Sequence, residues 1–104
     1  MLFRSEAAAE THFEMFRMLA LNTQKLRING AAALDLCHVA AGSSDGFFET
    51  GIYLWDFAAA GLIAEQAGAV LSLYPQTDEP EGYTVLCANK NLIAGLQAIH
   101  TKCI

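Results

Sequence analysis

The sequence predicts an α/β domain whose central, mostly parallel sheet is covered by helices on both faces, and three observations carry that prediction. Short β-compatible runs alternate with longer runs of helix formers through most of the chain. Of its 104 residues, 54% are hydrophobic and only 16% charged, enough apolar material for one core. Glycine, proline and asparagine punctuate the boundaries, at Asn29-Gly30, Gly42, Gly51, Gly68, Pro75 and Asn89. No repeat, low-complexity tract or interior linker divides the chain, so residues 1–104 read as a single domain.

Taken in order, residues 1–10 favour helix only through Ala7-Ala8-Ala9 and are otherwise undecided. Thr11 and Glu14 have capping-box spacing, which predicts a helix starting at Thr11, carrying Phe13, Phe16, Met18 and Leu19, and ending near Asn22. Lys25-Leu26-Arg27-Ile28 alternates polar and apolar as a short strand, and Asn29-Gly30 ends it. Residues 31–41 are helix formers with only Asp35 and His38 as polar groups, a buried helix with one exposed edge that stops at Gly42. Ser43-Ser44-Asp45-Gly46 is a turn, and Phe47-Phe48-Glu49-Thr50 a strand closed by Gly51. A helix over about 55–67 follows, in which Asp56, Glu65 and Gln66 are the only polar side chains, so it is expected to be buried. After Gly68 come a strand over 69–74, a solvated loop from Pro75 to Gly82, a strand over 83–88 and a helix over 90–100 with Leu92, Ile93, Leu96 and Ile99 on one stripe.

A net charge of −5 and a pI near 4.9 argue against a nucleic-acid partner, because nothing here supplies a basic phosphate-binding stripe. An acidic cleft would instead attract metal ions. Cys37, Cys87 and Cys103 are odd in number and lack CxxC spacing, which suits a reducing compartment. Glu14 and Arg17 interrupt the apolar 13–21 segment, and no run approaches the roughly 20 residues of a membrane span, so a cytoplasmic location off the membrane is expected.

Three stretches lie where a strand hands over to a helix: Gly30-Ala31-Ala32, Glu49 at the end of 47–50, and Asp56 at the mouth of the next helix. In open α/β sheets ligands collect at such places, where helix N-termini offer N–H donors. Each also has an ordinary reading: a close-packed turn, a solvated strand end and a helix-start charge. The apolar character of 55–67 favours more for Asp56, since the acidic end of a buried helix must meet a cleft or a cation. Asp35 and His38 are three apart and could hold a metal, but read more simply as an exposed polar edge. His12 and His100 fall on predicted surface faces and are given no role. No cysteine has a local base, and no nucleotide-binding glycine loop is present.

The stretch Trp55-Asp56-x-Ala58-Ala59-Ala60-x-Leu62-Ile63-Ala64-x-x-x-Gly68-Ala69 resembles a signature of the inositol monophosphatase family. Gly30-x-Ala32-Ala33-Leu34-Asp35-Leu36, Phe47-Phe48-Glu49 and Ala88-Asn89-Lys90 extend the likeness over about 10–100, equivalent to the C-terminal half of a sugar-phosphatase fold. The resemblance implies Mg²⁺-dependent hydrolysis of a phosphate monoester of inositol or a related small polyol. It implies further that Asp56 is a Mg²⁺ ligand near the attacked phosphate, that Glu49 hydrogen-bonds a substrate hydroxyl, and that the backbone of Gly30, Ala31 and Ala32 lines the substrate pocket. Many members carry Ser or Thr where this chain has Ala31. The family's Gly-Glu-Glu and Asp-Pro-x-Asp-Gly-Thr motifs are not in this sequence, and Asp45-Gly46 does not replace them. The N-terminal metal-binding half is therefore expected to be absent, and the chain inactive alone. The alternative is a non-catalytic module that binds itself or a partner through the face that half would cover.

Overall fold

A computed structural model describes residues 6–23, 31–75 and 82–103. Helix formers and β-branched or aromatic runs give, in chain order, α1 (Glu6–Asn22), α2 (Ala32–Ala41), β1 (Gly46–Tyr53), α3 (Leu54–Gln66), β2 (Val70–Pro75), β3 (Gly82–Ala88) and α4 (Ile93–Cys103). The α/β class stands, and so do helices on both faces of the sheet. The expected strand 25–28 and the turn residue Gly30 lie outside the described residues.

Strand direction departs from the prediction. The sheet has the order β1-β3-β2, and both pairings are antiparallel rather than mostly parallel. The reason is connection length. Only six residues, 76–81, join β2 to β3, too few for the crossover that parallel neighbours need. The strand–helix–strand alternation of β1, α3 and β2 does make those two strands parallel to each other, but β3 pairs between them.

As the middle strand, β3 is buried along nearly its whole length. Its side chains alternate between two cores. Val85 and Cys87 join Leu36, Val39, Phe47, Phe57, Ala60 and Ala64 beneath α2 and α3. Leu86 and Ala88 join Met15, Leu19, Ile93 and Leu96 beneath α1 and α4.

Local signals set most boundaries, and tertiary context moves the rest. Gly42 takes φ 80° to cap α2, its N–H donating to the Val39 carbonyl at 3.1 Å. The Asn89 Oδ1 accepts from the backbone N–H groups of Asn91 and Leu92, each at 3.0 Å, so α4 starts only at Ile93. Thr11 is not a helix start, because the alanines before it carry α1 back to Glu6. Gly51 does not close β1 either. Its φ of 77° sits in a bulge between Thr50 and Ile52, and pairing resumes through Tyr53. Glu49 is consequently a mid-strand residue, not a strand end.

The helix expected to be buried is buried on one stripe only. Phe57, Ala60, Gly61 and Ala64 face the sheet, while Trp55, Leu62 and Ile63 are 66%, 57% and 52% exposed. His12 and His100, predicted on the surface, are both buried. Among the described residues no helix is long and apolar enough to cross a membrane.

Candidate active site

Asp56 owes its place to the handover from β1 to α3. Tyr53 is extended at φ −93°, ψ 155° and serves as the N-cap residue, which puts Asp56 at the third helical position. The Tyr53 backbone N–H donates to Asp56 Oδ2 at 3.4 Å, half of a capping box. The Tyr53 and Trp55 rings stack on each other, 4.6 Å between centroids and 6° from parallel. The carboxylate is thus exposed and oriented by its own backbone.

Glu49 stands opposite Val85 of β3, with only 17% of its side chain exposed. Burial pushes its carboxyl up to about 7; the Thr50 backbone N–H opposes this, and the negative charge of Asp35 adds to it. Its Oε1 is buried without a hydrogen-bond partner. The His12 Nδ1 lies 3.9 Å from that oxygen and 3.3 Å from Thr50 Oγ1, and burial lowers the pKa of the imidazole. Nothing local in the sequence announced His12, because its partners come from a strand 38 positions away.

The remaining candidates are placed as follows. Ala31 is exposed and is the N-cap of α2, with no side chain to bond the orphan N–H groups; its carbonyl accepts from the Asp35 N–H at 2.9 Å. Ala32, half-buried, packs on the core. Gly30 lies outside the described residues. No hydrogen bond or ion pair joins Glu49 to Asp56 among the described residues. His38 binds Ser43 Oγ at 3.1 Å through Nδ1 and is exposed, in line with a polar edge on α2.

The donor set does not by itself make a Mg²⁺ site. Among the described residues no three His, Cys, Asp or Glu side chains gather to hold a metal ion. Mg²⁺ wants near-octahedral oxygen, usually with one or two protein carboxylates, waters and substrate phosphate. Asp56 is one such carboxylate. What the described residues offer is an oriented anion at Asp56 and, separately, the half-buried carboxyl of Glu49.

Comparison with known proteins matches the whole chain, residues 1–104, to the inositol monophosphatase family. The chain is 38% identical over 93 residues to the Nus factor SuhB of Salmonella typhimurium, covering 89% of this chain and 33% of that protein. It is 49% identical over 57 residues to inositol monophosphatase 1 of Sus scrofa, covering 55% of this chain and 21% of that protein. Among solved structures, Mycobacterium tuberculosis SuhB superposes with a TM-score of 0.81 at 34% identity, covering 96% of this chain and 38% of that one. The chain therefore spans a third or less of the length of these curated relatives.

Proposed function

The chain belongs to the inositol monophosphatase family, and from that premise we propose that it is the C-terminal portion of a Mg²⁺-dependent phosphatase acting on a phosphate monoester of inositol or a related small polyol. In this reading Asp56 supplies one carboxylate oxygen to Mg²⁺, Glu49 accepts a hydrogen bond from a substrate hydroxyl, and the backbone of Gly30, Ala31 and Ala32 lines the substrate pocket. The single observation that supports it best is the presentation of Asp56: exposed, at the third position of α3, and oriented by the Tyr53 N–H. The metal, when bound, supplies activation of water and charge stabilisation at the phosphate. The remaining ligands come from residues outside this sequence, so the chain alone does not turn over substrate.

Reconstitution tests this. The chain is mixed or fused with a polypeptide carrying the Gly-Glu-Glu and Asp-Pro-x-Asp-Gly-Thr motifs, and phosphate release is followed with and without Mg²⁺. Activity is expected only in the combined, Mg²⁺-containing sample, and Asp56→Asn lowers it by at least about 100-fold. Equal rates for wild type and Asp56→Asn overturn the role of Asp56.

A second reading is favoured by the exposed side of α3. Trp55, Leu62 and Ile63 form an apolar face in water, as expected of a non-catalytic module that packs against itself or a partner. The charge of −5 favours a protein partner over nucleic acid.

A further inference from the structure

We propose that His12 is a positioning residue for Glu49: the two hold one proton between them, and it passes from Glu49 Oε1 to His12 Nδ1 when Glu49 accepts a substrate hydroxyl. The substrate half of this rests on the role given to Glu49 above; the shared proton does not.

Geometry supports the pairing. The His12 ring is fixed by packing, tilted 34° against Phe48 at 5.1 Å and edge-on to Phe13 at 5.8 Å. Its Nδ1 faces two oxygens, Thr50 Oγ1 at 3.3 Å and Glu49 Oε1 at 3.9 Å. The second distance exceeds a hydrogen bond by less than an ångström, and both side chains are shielded, 7% and 17% exposed. A buried carboxylate oxygen with no donor is costly as an anion and tolerable as an acid.

Burial is the largest influence on Glu49 and favours its neutral form; the Thr50 N–H and the N-terminal ammonium oppose this and Asp35 adds to it. Glu49 lies on β1, an edge strand, so α1 brings His12 to it from one face of the sheet and α2 brings Asp35 from the other. Val85, its partner on β3, carries no charge. Burial opposes the anion on Glu49, with a smaller push from Asp35, and burial opposes a cation on His12, so at rest the proton belongs to Glu49. In that state only the carbonyl oxygen of Glu49 is left to accept from a donating hydroxyl, and the carboxylate is the stronger acceptor. When the hydroxyl arrives, the O–H bond at Oε1 breaks and an N–H bond forms at His12 Nδ1. The products are a carboxylate, which accepts from the hydroxyl, and an imidazolium, which pairs with that carboxylate. No proton enters or leaves, and no outside base is needed.

The test is a titration of the full 104-residue chain by NMR, following the ring nitrogens of His12 and the side-chain carboxyl carbon of Glu49 from pH 4.5 to 9. In the wild type the His12 nitrogens should show two steps, one coinciding with that of Glu49 and one lower. Glu49→Gln should remove the upper step and leave the lower. Thr50→Val keeps both titrating groups and should keep both steps. Identical His12 curves in wild type and Glu49→Gln overturn the proposal. In the reconstituted phosphatase, His12→Gln should raise KM for inositol monophosphate by about tenfold with kcat unchanged, as expected for a group acting through Glu49. An unchanged KM in His12→Gln, with Glu49→Gln impaired, also overturns it. If Glu49→Gln itself leaves KM unchanged while the coupled steps are present, the hydroxyl role of Glu49 is what fails, and the shared proton stands.

Discussion

At the scale of single residues, Glu49 is the most consequential, and its burial was not visible in the sequence. Its folded pKa, about 7, lies above the ordinary 4.5, so the native state keeps a proton that the unfolded chain has lost. The group's contribution to stability is therefore complete below about pH 4.5 and lost as pH rises through 7. His12 has the opposite sign, since burial lowers its pKa and stability is lost as pH falls below its ordinary 6.5. Glu49→Gln keeps the shape and removes the first effect alone. It should stabilise the chain by about 2 kcal/mol at pH 8 and change little at pH 4.5, read from denaturant midpoints. An equal effect at both values would show that ionisation of Glu49 is not what costs stability. The helix-start placement of Asp56 was legible at this scale and the mid-strand burial of Glu49 was not. The position of Asp56 is set by residues 53–56, all local, whereas the burial of Glu49 depends on His12 and Asp35 arriving on two other helices.

At the scale of elements, caps and glycines were readable and context was not. Gly42 marked the end of α2 because only a left-handed residue satisfies the last carbonyls there. Gly51 looked like the same punctuation but is a bulge, because β3 offers partners on both sides of it. The start of α2 shows the reverse, an element formed without its usual signal. Ala31 caps it with no side-chain oxygen, so Ala31→Ser should stabilise the chain by about 1 kcal/mol, seen as a raised thermal midpoint. No gain would mean that the first N–H groups of α2 already have partners. The misjudged helix was α3. Its apolar composition suggested burial all round, yet this chain covers only the stripe of Phe57, Ala60, Gly61 and Ala64.

At the scale of the whole molecule, that uncovered side of α3 is an apolar surface presented to water. Leu62 and Ile63 are more than half exposed and sit seven and eight positions beyond Trp55, on the outer side of the helix. Sedimentation at several concentrations should show reversible self-association, and Leu62→Lys with Ile63→Lys should shift the chain toward monomer without unfolding it. A wild-type chain that stays monomeric at high concentration counts against the second functional reading. The α/β class and the helices on both faces were legible here because the alternation of elements survives any strand order. Strand direction was not, since it turned on the short 76–81 connection rather than on any residue type.

The position of β3 has a consequence for how the chain comes into being. Among the described residues, the strand that joins β1 to β2 is the last of the three in sequence, so until residues 82–88 are made the two earlier strands lack the partner they share. Helices α1, α2 and α3 can form as they emerge, but Phe47 and Phe57 wait for Val85 and Cys87 before their core closes. Closing this core is thus a late and long-range step, during which a chaperone would find its client.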